Sequence, residues 1–222
     1  LAFQQSRLNS LSREAWRRGI STVMALEGWD AAGKGGIIRR IVPAMDARHC
    51  RILPIAAPTS LEHSYHYLWR FWQHIPRAGN TTIFDRTWYG RVLVERIEGY
   101  AKEHEWKRAY KEICDFESQL VEHGIVLMKY WLHISKEEQL ERFQLREVTP
   151  HKKFKITEED YRNRERWDEY EEAVEDMVAR THQPDSPWLL IEGNDKRFAR
   201  VKAITSYCDR LEAAIESNII NL

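Results

Sequence analysis

The stretch Gly28-Trp29-Asp30-Ala31-Ala32-Gly33-Lys34 matches the pattern G-x-x-x-x-G-K, and the fold prediction starts from it. The apolar run Ile20–Leu26 before it has the length of a buried strand, and a helical pattern begins at about Lys34. Glycines allow successive N–H groups to point at one anion, and the helix N-terminus adds its positive end. We therefore predict a phosphate-binding loop made by Gly28, Ala31, Ala32, Gly33, Lys34, Gly35 and Gly36. A glycine-rich turn without a ligand is the alternative.

The loop departs from the usual pattern at one position, where Gly35 replaces the Ser or Thr whose hydroxyl binds magnesium. Another oxygen ligand is then needed, and Asp30 lies within the loop. Magnesium takes one or two carboxylates together with substrate oxygens and waters. Aspartate is also common in tight turns, which is the alternative role for Asp30. We predict that Asp30 binds the metal and that Lys34 reaches the outer phosphates as a point charge.

A second carboxylate ends the short apolar run Thr81–Asp85. The carboxyl end of a strand next to the loop strand is the position of a second magnesium ligand in P-loop enzymes. Arg86 and Arg91 follow, and guanidinium groups bind phosphate oxygens in a bidentate manner. We predict that Asp85 binds the metal with Asp30, and that Lys34, Arg86 and Arg91 act on the phosphates. Ion pairing is the alternative for both arginines, and for Arg91 the two are evenly balanced.

Apolar runs of strand length alternate with helical periodicity along the whole chain, which predicts an α/β domain with a parallel sheet. The five predicted strands are Ile20–Leu26, Arg51–Ala57, Thr81–Asp85, Ile125–Ile134 and Trp188–Ile191. The predicted helices are Arg7–Arg18, one from Lys34, one from Thr59, Trp106–His123, one from Ser135, and Lys196–Ser217. Pro54 cannot donate to a ladder, so the second strand is expected at a sheet edge.

Two predicted helices begin with capping-box spacing, Thr59 with Glu62 and Ser135 with Glu138. The apolar face of the first comprises Leu61, Tyr65, Leu68, Trp69 and Trp72. The helix Trp106–His123 has an inward face of Ala109, Tyr110, Ile113, Phe116 and Leu120, with Gly124 as its C-terminal cap. These faces are expected to pack against the sheet.

Residues 142–166 are highly charged and have no pattern of a buried strand, so we predict that they leave the core as a lid. A lid that closes over phosphates would bring cations to them and exclude water. The predicted lid cations are Arg142, Arg146, Lys152, Lys153 and Lys155. An ordinary solvated loop and helix is the alternative, because Glu158, Glu159 and Asp160 lie close by.

The turn after the fifth strand contains Asn194 and Asp195, which we consider for nucleotide binding. Their side chains are able to bind base or ribose edges, but both are also preferred N-cap residues. The cap is favoured for Asp195.

Composition restricts the class of protein. The chain has 222 residues, the length of one domain, and as many lysines and arginines as acids. A polyanion would therefore bind only through local basic clusters, and nucleic-acid binding is disfavoured. Three cysteines without paired spacing indicate a reducing compartment. Neither a signal peptide nor a run of membrane-spanning length is visible, so we expect a cytoplasmic protein without a membrane partner.

Four segments together resemble the second family of polyphosphate kinases. They are Glu27–Arg40 (EGWDAAGKGGIIRR), Ile83–Val94 (IFDRTWYGRVLV), Lys129–Phe143 (KYWLHIS…EEQLERF) and Glu158–Trp167 (EEDYRNRERW). The resemblance extends from about Ser12 to Tyr207 and is strongest to the polyphosphate:AMP phosphotransferase subgroup. Members of that subgroup often carry two such domains, so we expect residues 1–222 to be one P-loop kinase domain of a longer polypeptide.

The resemblance implies a three-layer, thymidylate-kinase-like α/β/α core with a helical lid. It also implies reversible transfer of the terminal phosphoryl group of polyphosphate to AMP, giving ADP, with Mg²⁺ or Mn²⁺. By motif, Asp30 and Asp85 would bind the metal, Arg86 and Arg91 would line the polyphosphate path, and Arg146 and Lys152–Lys155 would belong to the lid. Gly35 agrees with the family pattern.

Three other functions stay open at this point. They are transfer to a nucleoside diphosphate (ADP or GDP), an ATP-dependent small-molecule kinase, and a non-catalytic domain of a fused protein. The expected partners are inorganic polyphosphate, AMP or ADP, and further copies of the same chain in a homo-oligomer.

Overall fold

A computed structural model describes residues 1–220, apart from the side chains of Lys155 and residues 218–220. Its strands are β1 (Thr22–Gly28), β2 (Cys50–Pro54), β3 (Thr81–Asp85), β4 (Val126–His133) and β5 (Trp188–Glu192). All neighbouring strands are parallel, and their order is β2-β3-β1-β4-β5. The predicted five-stranded parallel sheet is confirmed, and β2 lies at an edge as Pro54 requires.

The longer helices connect the strands and cover the sheet. They are α1 (Ala2–Arg17), α2 (Lys34–Ile41), α6 (Glu103–Glu122), α7 (Lys136–Glu147), α8 (Glu158–Glu165), α9 (Trp167–Thr181) and α10 (Lys196–Ile220). Three single-turn helices lie between β2 and α6, namely α3 (Ser60–His63), α4 (Trp69–Trp72) and α5 (Val94–Ile97). Gly124 ends α6 with a positive φ of 89°, as the sequence predicted.

The alternation of side chains along the strands explains why helices cover both faces. Thr22 of β1 is hydrogen-bonded through its hydroxyl to Tyr207 of α10 at 2.6 Å. Lys129 of β4 points to the opposite face, where its Nζ lies 2.7 Å from the Glu117 carboxylate of α6. Helices α1, α2 and α10 therefore cover one face and α6 and α9 the other, which gives the predicted three layers.

The strand order also determines where a crevice opens. The chain leaves β1 toward β2 on one side, and leaves β3 toward β4 on the other. Leu26 of β1 pairs with Asp85 of β3, so the loops that follow these two strands emerge side by side. Ligands of parallel α/β folds bind at such a reversal, outside the carboxyl ends of the strands.

The helix predicted to begin at Thr59 is the clearest error of element assignment. Its capping box is present, but the helix ends at His63, and a separate turn forms α4. Leu61 and Tyr65 are 59% and 50% exposed, so they do not form a buried face. The reason is that this segment borders a cavity: its aromatic rings line open space or stack on one another, as Tyr65 and Trp69 do at 4.2 Å.

Residues 142–166 contain no strand of the sheet, but their first two residues, Arg142 and Phe143, are buried. Their first residues still belong to α7, which the Ser135 side chain caps by accepting a hydrogen bond from the Glu138 amide at 3.2 Å. They end at α8, immediately before α9. None of the described helices is both long enough and apolar enough to cross a membrane.

Candidate active site

The loop between β1 and α2 has the backbone geometry of a phosphate-binding loop. Gly33, which precedes α2, has a φ of 117°, and Ala31 has a φ of 61° although it carries a Cβ. Gly28 lies so close to β4 that an added Cβ would be 2.6 Å from the Leu132 carbonyl oxygen. The two glycines of the motif are therefore required by a left-handed turn and by a close approach of two strands.

The amides at the mouth of the loop are available for a ligand. Among the described residues, no atom accepts a hydrogen bond from the amides of Gly33, Lys34 or Gly35. The Lys34 ammonium folds back over the loop and donates to the carbonyls of Gly28, at 2.5 Å, and Trp29, at 3.3 Å. Free N–H groups beside a lysine that forms no ion pair in the described part of the chain make an anion-binding site.

The two predicted metal ligands line the same cavity. Asp30 lies in the loop, where one carboxylate oxygen is 3.4 Å from Arg86 Nη2 and the other accepts from Asn163 Nδ2 at 3.1 Å. Asp85 ends β3, and among the described residues its carboxylate accepts no hydrogen bond. The described residues contain no group of three or more His, Cys, Asp or Glu side chains able to hold a metal. A cation here would therefore need ligand oxygens besides these carboxylates.

Arg86 has an unusual backbone. Its φ is 66°, in the left-handed region that residues with a Cβ rarely adopt. The side chain is about half exposed and reaches over the loop toward Asp30. Burial lowers the pKa of Arg86, but the surrounding carboxylates, chiefly those of Asp30 and Glu27, outweigh this effect and leave the pKa above its ordinary value, so the guanidinium stays charged.

The structure places Arg91 in a different environment from Arg86. Its Nη1 lies 3.0 Å from the Glu95 carboxylate, and its guanidinium carbon lies 4.5 Å from the centre of the Tyr67 ring. Its Nε is buried without a hydrogen-bond partner among the described residues. Arg91 lines a second, aromatic cavity and does not line the cavity that contains Asp85, whereas Arg86 lines both. Contrary to the sequence prediction, the two arginines therefore do not line one polyphosphate path along its whole length.

Arg142, predicted as a lid cation, is a buried support of the loop. It donates hydrogen bonds to the carbonyls of Ala31 at 2.9 Å and Ala32 at 2.8 Å, and to those of Gly193 and Asn194. Its side chain is 5% exposed. The assignment to a lid is wrong because α7 continues through this position and directs the guanidinium inward.

The remaining predicted lid cations divide into two groups. Arg146 and Lys152 line the cavity above the loop. Burial lowers the pKa of Arg146, while Asp160 and Asp30 act in the opposite direction. Lys153 is exposed and does not line the cavity, and the Lys155 side chain lies outside the described residues.

Asn194 and Asp195 do not line either cavity, so the structure gives no support to their assignment as nucleotide ligands. The Asp195 carboxylate accepts hydrogen bonds from the amides of Arg197 at 2.7 Å and Phe198 at 3.1 Å, which makes it a cap of α10. The Asn194 side chain accepts from the Ser135 amide at 3.0 Å. The alternative considered for Asp195 is confirmed.

Several basic residues around the loop were missed by the sequence interpretation. They lie on α2 and on the first turns of α10, and they are Arg39, Arg40, Lys196 and Arg200. Among the described residues, none of the four has an acid within ion-pair distance. Burial lowers the pKa of Arg200, and the nearby charges of Arg40 and Arg142 lower it further. The sequence signal that could have indicated a basic wall is the pair Arg39-Arg40 in the helix after the motif. Its proximity to Lys196 and Arg200 becomes visible only when the chain is folded, because α10 lies far from α2 in the sequence.

The loop lies between two cavities, which we call the basic cavity and the aromatic cavity. The basic cavity has a volume of about 710 Å³ and includes Asp85, Arg146 and Lys152 together with the four basic residues above. The aromatic cavity has a volume of about 700 Å³ and is lined by Tyr65, Tyr67, Phe71, Trp88, Arg91 and Trp131, among others. Asp30, Lys34 and Arg86 line both cavities.

A buried network fixes the segment that follows Arg86. The Glu117 carboxylate accepts hydrogen bonds from Trp88 Nε1 at 3.0 Å and from the Tyr89 hydroxyl at 2.6 Å. Its other oxygen binds the Lys129 ammonium, which also donates to the Thr181 carbonyl at 2.6 Å. A buried ion pair with every partner satisfied holds its neighbours in one arrangement. The wall of the aromatic cavity is therefore anchored to β4 and α9.

Comparison with known proteins agrees with this geometry. The profile of the family Polyphosphate kinase 2 (PPK2) matches residues 1–218. The chain is 56% identical over 218 residues to a polyphosphate:AMP phosphotransferase of Pseudomonas aeruginosa PAO1, covering 98% of this chain and 44% of that protein. It is 38% identical over 200 residues to an ADP-polyphosphate phosphotransferase of the same organism, covering 90% of this chain and 66% of the relative.

A solved structure shows the same fold. The crystal structure of Polyphosphate Kinase 2 from Arthrobacter aurescens TC1 superposes with a TM-score of 0.93 at 35% identity, and covers 96% of this chain and 77% of that one. The chain spans less than half the length of the polyphosphate:AMP phosphotransferase that it matches. The family match covers nearly all of the described residues, including both loops of the site. The chain belongs to the polyphosphate kinase 2 family.

Proposed function

We propose that this chain transfers a phosphoryl group between inorganic polyphosphate and a nucleotide, at the point where the two cavities meet. The observation that carries the proposal is that Asp30, Lys34 and Arg86 line both cavities. Two ligands held in separate cavities would meet at the same phosphate-binding groups. Such positioning is most of what phosphoryl transfer requires of a protein.

The basic cavity suits polyphosphate. The chain has no net charge, yet Arg39, Arg40, Lys196 and Arg200 collect on one wall without acidic partners among the described residues. Mutual repulsion of these cations is relieved when an anion binds between them. A linear polyanion is the ligand that would contact the loop amides and this wall at the same time.

The aromatic cavity suits a nucleoside. Its rings offer apolar faces for a base. Two polar groups of its lining, Arg91 Nε and Trp131 Nε1, are buried and have no hydrogen-bond partner among the described residues. Buried polar atoms are usually paired, so these atoms would be satisfied by a base or ribose. We propose AMP as the acceptor because the relative at 56% identity is named a polyphosphate:AMP phosphotransferase.

Asp30 and Asp85 fit a magnesium or manganese ion. Both are hard oxygen ligands at one end of the basic cavity, and two carboxylates with phosphate oxygens are a usual set for this ion. The bound ion would neutralise charge on the phosphate oxygens. Asn163 and Arg86 hold the Asp30 carboxylate in place by the contacts described above.

The proposed reaction needs no general base. A phosphate oxygen of AMP attacks the terminal phosphorus of polyphosphate, and the bond from that phosphorus to its bridging oxygen breaks. The products are ADP and a chain shorter by one phosphate. The attacking oxygen is already anionic at neutral pH, so the requirement is to overcome repulsion between two anions. Lys34, Arg86 and the free loop amides supply the positive charge.

We propose that the part of residues 142–166 that follows the buried Arg142 and Phe143 acts as a lid whose cations are Arg146 and Lys152. Both line the basic cavity, and α8 is attached to the loop through the bond from Asn163 to Asp30. At the end of this segment Trp167 stacks on Trp29 with ring centres 3.8 Å apart. This stack would serve as a fixed point, while the segment before it excludes water from the phosphates.

Transfer to a nucleoside diphosphate is the second candidate. It is favoured by the relative at 38% identity, which is named an ADP-polyphosphate phosphotransferase. Lys34 and Arg86 line both cavities beside Asp30 and Glu159, so a second phosphate at the junction would have cations to contact.

The test is a panel of AMP, ADP and GDP with polyphosphate and magnesium, in the absence of ATP. We expect ADP to form from AMP, and more slowly ATP or GTP from the diphosphates. An ATP-dependent kinase would give no product under these conditions. A non-catalytic domain would give no product with any nucleotide, and either result would contradict the proposal. Lys34→Ala is the control for contaminating kinases.

A further inference from the structure

The left-handed backbone at Arg86 needs something to hold it, because a residue with a Cβ is disfavoured at a φ of 66°. The Arg86 amide donates to the Leu26 carbonyl of β1 at 3.1 Å. The next residue, Thr87, donates its hydroxyl to the Glu27 carboxylate, also of β1, at 2.8 Å. Two consecutive residues after β3 are therefore fixed to two consecutive residues of β1.

Glu27 and Thr87 make this attachment in the interior. Glu27 is 5% exposed and Thr87 is 3% exposed. The Thr87 oxygen also accepts a hydrogen bond from the Tyr89 amide at 3.1 Å, which fixes the turn on the other side of Arg86. Among the described residues, no Lys or Arg forms an ion pair with Glu27. A buried carboxyl that has no ion-pair partner among the described residues, and whose hydrogen bonds come from Thr87 alone, is costly in a protein interior, which calls for a functional reason.

The position of Glu27 and Thr87 beside the phosphate-binding loop supplies a functional reason for burying this carboxyl group. Glu27 directly precedes the phosphate-binding loop, and it lines the aromatic cavity together with Lys34 and Arg86. Burial raises the pKa of the Glu27 carboxyl, and the charges of Lys34 and Arg86 oppose this effect. The carboxyl group is therefore close enough to both cations to feel their charge.

We propose that Glu27 is a positioning residue which, by accepting the hydrogen bond of Thr87, holds Arg86 in the left-handed conformation and its guanidinium at the junction of the two cavities. The inference rests on the proposed phosphoryl transfer. Without the bond, the backbone at Arg86 would relax toward negative φ and the guanidinium would leave the phosphate. Neither residue needs to touch a substrate.

The first test compares Thr87→Val with Thr87→Ser. Valine keeps the shape and loses the hydroxyl, whereas serine keeps the hydroxyl. We expect Thr87→Val to lower kcat by about tenfold or more, as a misplaced catalytic group does. The KM for AMP should change little, and Thr87→Ser should stay close to the wild type. Equal kcat values for the two variants would overturn the proposal.

The second test separates positioning from a purely structural role. In an Arg86→Ala background, Thr87→Val should cause no further loss of kcat, while it should still lower the melting temperature as it does in the wild type. If the losses of kcat multiply, the hydrogen bond does not act through Arg86 and the proposal is wrong.

Should Thr87→Val fail to fold, Glu27→Gln and Glu27→Met provide the same comparison. Glutamine retains an oxygen acceptor for Thr87, and methionine of similar size does not. We expect Glu27→Gln to keep most of the activity and Glu27→Met to lose about as much as Thr87→Val. Equal activities in this pair would also overturn the proposal. A wild-type protein without transfer activity would instead refute the proposed function, so the two failures are distinguishable.

Discussion

Among single residues, Asp30 and Asp85 matter most to the proposed phosphoryl transfer, because they are the proposed metal ligands. Each carboxylate is at the edge of the basic cavity, and neither is part of the buried core. We therefore expect Asp30→Asn and Asp85→Asn to lower kcat by at least about a hundredfold, because loss of a metal ligand removes stabilisation of the transferred phosphoryl group. The melting temperature should change by only a few degrees, which thermal unfolding measures.

Asp195→Asn is the matched control for these variants. Asparagine also caps helices, so α10 should stay intact, and the transfer rate should equal that of the wild type. Near-normal activity of both Asp30→Asn and Asp85→Asn would remove the metal assignment. Loss of activity in Asp195→Asn would instead support the nucleotide-binding role that was considered for this turn beside the cap.

For Arg142 we predict an effect on the stability of the fold, whereas the predictions above concern the transfer rate. Its guanidinium satisfies four backbone carbonyls of the loop and of the turn after β5. Arg142→Met would leave these groups without a donor and should lower the free energy of unfolding by about 2–5 kcal/mol. Urea denaturation measures this change.

Arg146→Met, one turn further along α7, is the comparison. This side chain lines the basic cavity, so its replacement should raise the KM for polyphosphate and lower the urea midpoint much less than Arg142→Met does. If Arg142→Met were as stable as Arg146→Met, the buried support that we describe would not exist.

Residue-level prediction succeeded where chemistry is local. The loop motif and the acid at the end of β3 are each visible within a few positions, and the structure brings Asp30, Lys34, Asp85 and Arg86 together. Arg142 could not be assigned from sequence, because whether a charged residue on a helix faces solvent or backbone carbonyls depends on tertiary packing. Asn194 and Asp195 show the same limit, since turn caps and ligand-binding residues have the same composition.

At the scale of elements, the basic wall formed by α2 and α10 predicts how chain length affects binding. Replacing Arg39, Arg40 and Arg200 together by glutamine should raise the KM for long polyphosphate by about tenfold or more. The KM for AMP should be unaffected, because these residues do not line the aromatic cavity. Short chains that reach only the loop should also be affected less, which initial rates across chain lengths would show.

The control removes the same kind of charge from a distant helix. Lys107 and Lys111 are exposed on α6 and line neither cavity. Lys107→Gln with Lys111→Gln should leave the KM for polyphosphate unchanged at constant salt. An equal rise in both variants would mean that binding depends on net charge and not on the wall.

Element assignment followed the strength of the periodic signal. The strand Thr81–Asp85 has the predicted bounds, and the inward residues of α6 are buried as expected. The region from Thr59 to Trp72 failed because aromatic residues at helical spacing indicate a buried face only when a core lies opposite. Of the predicted face, Leu68 is buried in the core and Tyr65 lines the aromatic cavity, so core contacts and a ligand-binding wall share one sequence pattern here.

At the scale of the whole molecule, the three thiols are predicted to be inert. Cys50, Cys114 and Cys208 form no disulfide. Burial raises the pKa of Cys50 and of Cys208 to about 11, and it also raises that of Cys114. At pH 8 only about one in a thousand of the first two thiols is ionised, so iodoacetamide should react slowly with the native protein.

Unfolding in urea should make all three cysteines reactive, which mass spectrometry after timed alkylation would show. Rapid modification of Cys208 under native conditions would contradict the packing of α10 against α1. Variants of the site serve as the comparison, because Asp85→Asn should not alter the alkylation rate.

The global arrangement was predictable only in part. Alternating strands and helices gave the parallel sheet, because handed connections leave few other arrangements. The two cavities could not be predicted, since their walls come from segments far apart in the chain, such as α2 with α10, or α4 with the turn after β3. The net charge of zero also gave no indication that cations are in local excess along the basic cavity.

The most direct measurement is a crystal structure with AMP, magnesium and a non-reactive polyphosphate analogue bound together. The account predicts the AMP base in the aromatic cavity and its phosphate beside Lys34 and Arg86. It places the analogue along the basic cavity, with the metal held by Asp30 and Asp85. AMP bound in the basic cavity, or both carboxylates turned away from the ion, would contradict it.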